Sequence, residues 1–252
     1  MPPEPDPPPA PGTHLAGRRR AGLEHMEQIE VHDVRTPSGR AARMGCRAGT
    51  SDLATVGSTF ELWGKLHDEY RTATLDLGDG AFVDVGAHIG SVAIAVLLDN
   101  PLAHAICVEP LPENVELLRE NAKRNGVNDR LHVVEGAAGK HKTVTVRYGP
   151  DDAHRYIANI RGASGDFVDV PAITLAQLVR LAGGRIDAMK TDCEGGEYAL
   201  FDATAATLRK VGRITGEYHG GEQPLLDLLD KTHVVTVTTG DRYVGHFEAV
   251  PR

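Results

Sequence analysis

The chain has 252 residues, 41% of them hydrophobic and 25% charged, with a formal net charge of −8. This is apolar material enough for one α/β domain with a full core, and an acidic chain without a long Lys/Arg run argues mildly against the basic stripe of a nucleic-acid-binding surface. No apolar run approaches the ~20 residues of a membrane helix, and the three cysteines, Cys46, Cys107 and Cys193, form no CxxC pair, which argues against a disulfide framework or a structural zinc site.

The opening "MPPEPDPPPAPG" has proline at seven of its first eleven positions. Such a run withholds the N–H groups that helices and sheets need, so residues 1–22 are expected to form a disordered or polyproline-like arm. It carries no apolar signal-peptide core, which together with the unpaired cysteines points to a reducing cytoplasm. "QIEVHDV" is a short strand candidate. "TSDLATVGSTFELWGKLHDEY", 50–70, is expected to be helical, because Leu53, Val56, Phe60 and Trp63 recur at helical spacing behind Thr50 or Ser51 as a cap. Residues 23–78 are accordingly read as an N-terminal cap or lid, and 79–252 as the main domain.

From Phe82 onward strand and helix alternate. "AFVDVGA" leads into the helix "GSVAIAVLLDN". "HAICVEP" is a second strand, and "PENVELLRENAKRNG" is a helix with Pro112 in its first turn, Val115, Leu118 and Ala122 on one face and Gly126 as its stop. "LHVVEGAAG" is a third strand, and "KTVTVRY" and "DFVDVPAI" alternate as an antiparallel pair. "RIDAMKTDCEGG" is a fourth core strand, before a helix with Leu200, Ala203, Leu208 and Val211 inward. "GRITGEYHG" is a fifth, "EQPLLDLLDKT" a helix, and "HVVTVTT" with "YVGHFEAV" a closing hairpin. The expected fold is α/β: a doubly wound, mostly parallel sheet, Rossmann-like, with an antiparallel C-terminal hairpin at its edge.

In such a sheet, ligands sit beyond the carboxyl ends of the strands, and a glycine turn after the first strand lets them approach the backbone. Here the turn is Gly86-Ala87-His88-Ile89-Gly90, with Asp84 before it and Glu109, 23 residues after Gly86, placed to reach a ribose. Dinucleotides and S-adenosylmethionine both use this frame. A dinucleotide turn needs a middle glycine, where this chain has His88, and Asp84 is a poor neighbour for a pyrophosphate but suits the cationic amino group of a methionine moiety.

"FVDVGAHIGSVA", "VEPLPENVELLRENAKRNG" and "MKTDCEGGEYALF" together resemble the FkbM family of S-adenosylmethionine-dependent methyltransferases, whose pattern is D-x-G-A-N-x-G, then E-P-x-P-x-N, then K-x-D-x-E-G-x-E. The resemblance covers roughly residues 48 to 219 and departs at His88, where the family commonly has asparagine. It implies a class I methyltransferase domain over 79–252, with S-adenosylmethionine as cofactor. Asp84, Gly86, Ala87 and Gly90 would then hold the methionine end of the cofactor, His88 standing in for the asparagine. Glu109 would bind the ribose, Pro110 would shape the adenine side, and Asn114 would brace the loop. Glu135, Gly136 and Ala137 lie where such folds usually contact the adenine.

Methyl transfer leaves the protein to position an acceptor and to manage its proton. The densest polar stretch is "KTDCEGGE", from which Asp192 and Glu194 are read as catalytic, while Glu197 suits a helix N-terminus. Glu217 and His219 alternate on the fifth strand and share a face, which makes His219 the expected general base, since an imidazole titrates near neutrality. Asp192, Glu194, Glu217 and His219 also have the chemistry of a Mg²⁺-type site, although no tight spacing demands a metal. Asp52, His154, Tyr156 and Glu217 are substrate-contact candidates. The expected reaction is O-methylation of a small polar acceptor, a sugar or glycosylated natural product as the family association implies. The alternatives are N- or carboxyl methylation, a nucleotide-dependent oxidoreductase, and a non-catalytic cofactor-binding module. No nucleic-acid or membrane partner is expected, and the oligomeric state is unreadable.

Overall fold

The computed structural model describes residues 28–148, 158–159 and 166–252. The proline-rich arm expected over 1–22 and the candidates His154 and Tyr156 lie outside them. In chain order the elements are β1 (Ile29–Arg35), β2 (Ala41–Arg47), α1 (Asp52–Gly57), β3 (Ala81–Val85), α2 (Ser91–Asp99), β4 (His104–Glu109), α3 (Pro112–Arg124), β5 (Leu131–Glu135), β6 (Ala137–Ala138), β7 (Thr143–Tyr148), β8 (Ala158–Asn159), β9 (Asp166–Ile173), α4 (Leu175–Leu181), β10 (Ile186–Thr191), α5 (Glu197–Phe201), α6 (Ala205–Leu208), β11 (Val211–His219), α7 (Glu222–Leu229), β12 (His233–Gly240) and β13 (Val244–Pro251).

Seven strands form one sheet in the order β12-β13-β11-β10-β3-β4-β5. From β11 to β5 neighbouring strands run parallel, and β13 runs antiparallel to both β11 and β12. The expected hairpin is therefore present, but its last strand does not lie at the edge. β13 inserts between β11 and β12, where Phe247 and Ala249 are buried, a placement set by tertiary packing that the alternating pattern of a hairpin does not encode. β7 pairs with β9 antiparallel, as its pattern suggests, in a separate sheet of order β6-β9-β7-β8.

Two apolar layers cover the main sheet. Phe82 and Cys107 pack with α2, whose residues Val92 to Leu97 are all buried; Val83, Val85 and Ile106 pack on the opposite face with Leu178 of α4 and Phe201 of α5. Fully burying each such side chain contributes roughly 1.5–3 kcal/mol. β3 is buried along its whole length, which is why it reads as an unbroken apolar run interrupted only by Asp84. The β1–β2 hairpin docks on α3 through Asn121, whose side chain accepts from Gly45 N at 2.8 Å and donates to Gly45 O at 3.1 Å. No helix among the described residues is long and apolar enough to cross a membrane.

Two helical expectations fail. Of 50–70, only Asp52–Gly57 is helical, and Trp63 adopts a left-handed φ of 52° and is 81% exposed. The helix after β10 splits into α5 and α6, and Val211 belongs to β11. Its Thr204 caps the second piece by accepting from Thr207 N, so a local cap signal overrode the apolar spacing.

Candidate active site

Going out from β3, the strand order runs to β4 and β5 on one side and to β10 and β11 on the other, so the switch point lies between β3 and β10. A cleft opens there, lined among others by Tyr70, Gly86, Pro110, Ala137, Asp192 and Glu194.

The turn after β3 is held from below. Asp84 is fully buried, with Oδ1 3.3 Å from Lys190 Nζ and Oδ2 accepting from Ala93 N at 3.2 Å. Lys190 Nζ also donates to Gly86 O at 2.7 Å, and sits 5.2 Å from the centre of the Tyr70 ring. Burial lowers the affinity of Lys190 for its proton, but the carboxylates of Asp84 and Asp192 more than reverse this and keep it charged. Asp84 thus does not line the cleft, and the expectation that it faces the methionine amino group is corrected: its charge is matched by Lys190. Gly90 is likewise a packing residue, where a Cβ would meet Leu118 Cγ at 3.0 Å.

His88 occupies a left-handed φ of 50°. Asparagine tolerates that region better than most residues, which gives a backbone reason for the asparagine common in the family. The imidazole turns inward, Nε2 lying 3.4 Å from Asp52 Oδ1. Asp52 in turn accepts from Arg47 N, Nε and Nη2 at 2.8–2.9 Å and is fully buried. Asp52 is therefore no substrate contact but the anchor of the loop that backs the turn. Burial drives the His88 imidazole down to about 4, against the pull of Asp52. A folded His88 that refuses a proton which the unfolded chain takes up below about pH 6.5 costs stability as pH falls toward 4, up to roughly 3 kcal/mol. His88→Asn should remove that loss, so urea midpoints of variant and wild type should converge or cross between pH 7.5 and 4.5. Parallel pH profiles would contradict it.

Glu109 ends β4 with its carboxylate accepting from His88 N at 2.8 Å, Leu111 N at 3.1 Å and Asn114 Nδ2 at 3.0 Å. Asn114 thereby braces the loop, as expected. Burial pushes the Glu109 carboxyl up, and these three donors oppose it. Gly136 and Ala137 line the cleft, while Glu135 is exposed and ion-paired to Arg119 at 2.9 Å, a surface position rather than the expected adenine contact.

At the other end, Asp192 and Glu194 reach the cleft from the end of β10, and His219, the last residue of β11, stands behind them. His219 Nδ1 is 2.8 Å from Glu197 Oε1, and its Nε2 is 3.2 Å from Glu217, 3.8 Å from Glu194 and 4.0 Å from Asp192. Glu217 and His219 do share a face. Burial lowers the His219 proton affinity, but hydrogen bonds to Glu197 and Glu217 with the surrounding carboxylates raise it to about 11. A group already protonated at neutral pH cannot accept the acceptor's proton, so the expectation of His219 as general base is corrected. Burial raises Glu194 to about 7, with His219 opposing. Glu217 does not line the cleft; its second oxygen lies 3.2 Å from His246 Nε2.

Sequence reasoning missed Tyr70. Its hydroxyl donates to Asp192 Oδ2 at 2.8 Å, and burial followed by the Asp192 charge keeps it protonated. The available signal was Asp68, which caps the turn at Thr72 N (2.7 Å) and Ala73 N (3.0 Å) and so breaks the helical reading just before Tyr70. Glu197 was taken for a helix-end charge, yet it is fully buried against His219.

The methyltransferase FkbM domain model matches residues 84–232. Over 60 residues, 24% of this chain, the sequence is 42% identical to the ribosomal protein L11 methyltransferase of Escherichia coli O8 (strain IAI1), and the match spans only 20% of that protein. Among solved structures, the chain resembles precorrin-6y C5,15-methyltransferase from Geobacter metallireducens GS-15, with 16% identity and a TM-score of 0.44 over 73% of this chain and 85% of that one. It also resembles the C-terminal domain of precorrin-6Y C5,15-methyltransferase from Rhodobacter capsulatus, with 18% identity and a TM-score of 0.42 over 72% of this chain and 85% of the other.

Proposed function

The chain belongs to the FkbM methyltransferase family and is an S-adenosylmethionine-dependent methyltransferase, and from that premise we propose that it methylates a hydroxyl oxygen of a small polar acceptor, a sugar or glycosylated natural product. The observation that carries this reading is the polarity of the cleft along its length: Pro110, Ala137 and Val108 line one end, and the carboxylates of Asp192 and Glu194 the other. An adenine suits the first end and a sulfonium with its ammonium the second, so the residues present fit the cofactor.

When bound, S-adenosylmethionine supplies an electrophilic methyl group and leaves as a neutral thioether. Glu109 takes the ribose hydroxyls on the carboxylate edge its three backbone and side-chain donors leave open. Gly86 and Ala87 form the floor under the methionine part, carried by the Lys190–Asp84 pair. The acceptor enters beside Tyr70 and Glu194, held in line with the methyl group. An alcohol is a poor nucleophile until its proton leaves, and the Asp192–Glu194 edge is where that proton goes.

Glu109→Gln replaces a charged acceptor by a neutral amide and should weaken S-adenosylhomocysteine binding about tenfold to a hundredfold, read by calorimetry beside a melting curve. Unaltered affinity in a folded variant would remove Glu109 from the ribose. The reaction itself is tested with S-adenosylmethionine carrying a labelled methyl group against a panel of sugars, glycosides, amines and carboxylic acids. Label on a hydroxyl oxygen is the expected result. Label confined to amine or carboxylate acceptors overturns the reading.

A further inference from the structure

We propose that Asp192, Glu194 and His219 bind a divalent metal ion at the acceptor end of the cleft, an inference that rests on the cleft being the methyl-transfer site. One ligand atom from each lies within 4.8 Å of the other two. The Nε2 of His219 is 3.8 Å from Glu194 Oε2 and 4.0 Å from Asp192 Oδ1. Those gaps are too long for hydrogen bonds and short enough for one ion at ~2.1 Å from each ligand to span. The side chains are only 15–30% exposed, so the ligands are set back from bulk water.

The atoms on the far side of two of these ligands are already committed. Glu197 Oε1 is 2.8 Å from Nδ1 of His219, which fixes the ring and turns Nε2 toward the carboxylates. Tyr70 OH donates to Asp192 Oδ2 at 2.8 Å, leaving Oδ1 to face Nε2. A carboxylate behind a histidine and a donor behind an aspartate form the outer shell that orients metal ligands. A separate observation points the same way. Glu197 is fully buried, yet its Oε2 has no hydrogen-bond partner. A buried carboxylate left half-satisfied is costly, and a dication held one imidazole away would compensate its charge.

Four carboxylates face His219, those of Asp192, Glu194, Glu197 and Glu217, while His246 Nε2 lies 3.2 Å from the other oxygen of Glu217. Glu217 Oε2 also lies 3.2 Å from Nε2 of His219. One imidazole nitrogen with carboxylate oxygens suits Mn²⁺ and its first-row neighbours better than Ca²⁺. The ion takes the place of the proton on Nε2. As a Lewis acid it would lower the pKa of a bound acceptor hydroxyl, so that the O–H bond breaks toward the carboxylate edge before the O–CH₃ bond forms. A second triad, Glu69, Glu217 and His246, also has its ligand atoms within 4.8 Å of one another, but Glu69 is exposed and none of the three lines the cleft.

The test is calorimetric titration of the chelator-treated full chain with MnCl₂, with and without S-adenosylhomocysteine. One site per chain at micromolar affinity is expected. Asp192→Asn and His219→Ala should each weaken Mn²⁺ at least tenfold, with S-adenosylhomocysteine affinity without metal staying within about twofold in His219→Ala, and Glu197→Gln should cost about tenfold. Asp192→Asn keeps size and shape, so a fold lost in His219→Ala leaves the answer intact. No Mn²⁺ site, or a site lost in Glu69→Gln and kept in Asp192→Asn, overturns the proposal. S-adenosylhomocysteine binding with no Mn²⁺ site sinks the metal alone; Mn²⁺ binding with label only on amines sinks the hydroxyl acceptor and leaves the metal standing.

Discussion

Replacing Lys190 with methionine is expected to lower stability by about 3–5 kcal/mol and to abolish S-adenosylhomocysteine binding. Lys190 is 4% exposed and Asp84 fully buried, so the variant leaves a carboxylate in the core with no cation beside it. It also loses the 2.7 Å bond to Gly86 O, which ties the turn above β3 to the end of β10. The cost comes mostly from the stranded charge rather than from the attraction itself, because desolvating the pair offsets much of its Coulomb energy. Asp84→Asn combined with Lys190→Met removes both charges and should recover at least half of the loss in urea denaturation. Cofactor affinity should stay low in the double variant, since the anchor on Gly86 O is still missing. A loss under about 1 kcal/mol in the single variant would mean that the pair does not hold the turn.

The parts of this molecule that were legible in the sequence are those specified locally. β3, β4, β10 and β11 announced themselves as apolar runs, and α3 as a proline-started amphipathic stretch with Gly126 beyond its end, because period and punctuation belong to the segment itself. Gly86 and Glu109 could be placed on the cleft because a doubly wound sheet puts its ligands at strand ends, and Pro110, Gly136 and Ala137 because the family resemblance implied them. The roles of the buried charges were not legible. Asp84 and Lys190 are 106 residues apart in sequence and meet only through the β3–β10 register, in which Lys190 lies opposite Asp84. Asp52 looked like a substrate contact because nothing local shows Arg47 folding back on it. His219 looked like a base because its number of carboxylate neighbours depends on how β10, β11 and α5 converge. In each case a side chain's proton affinity or exposure was decided by partners that no periodicity reveals.

The same limit changed the meaning of the glycine turn. A glycine there was read as room for a ligand, but a Cβ on Gly86 would stand 1.8 Å from the carbonyl oxygen of Asp192 and 2.8 Å from its carbon, at a φ of 78°. The residue is small because the backbone at the end of β10 passes against it, and that contact brings Asp192 to the cleft; Asp192 N also donates to Val85 O at 3.0 Å. Gly86→Ala is therefore expected to cost about 4 kcal/mol or more, the left-handed backbone supplying about 1–2 of it and the displaced strand end the rest. For a chain of this size that is a fall in Tm on the order of 10 °C. Gly126→Ala isolates the first contribution: its φ is 67°, and nothing lies within 4 Å of the added Cβ. That variant should lose only about 1 kcal/mol and bind S-adenosylhomocysteine as wild type does, whereas Gly86→Ala should lose binding as well as stability. Equal losses in the two would mean that the turn needs glycine for its backbone angle alone, and that the ends of β3 and β10 can part without disturbing the site.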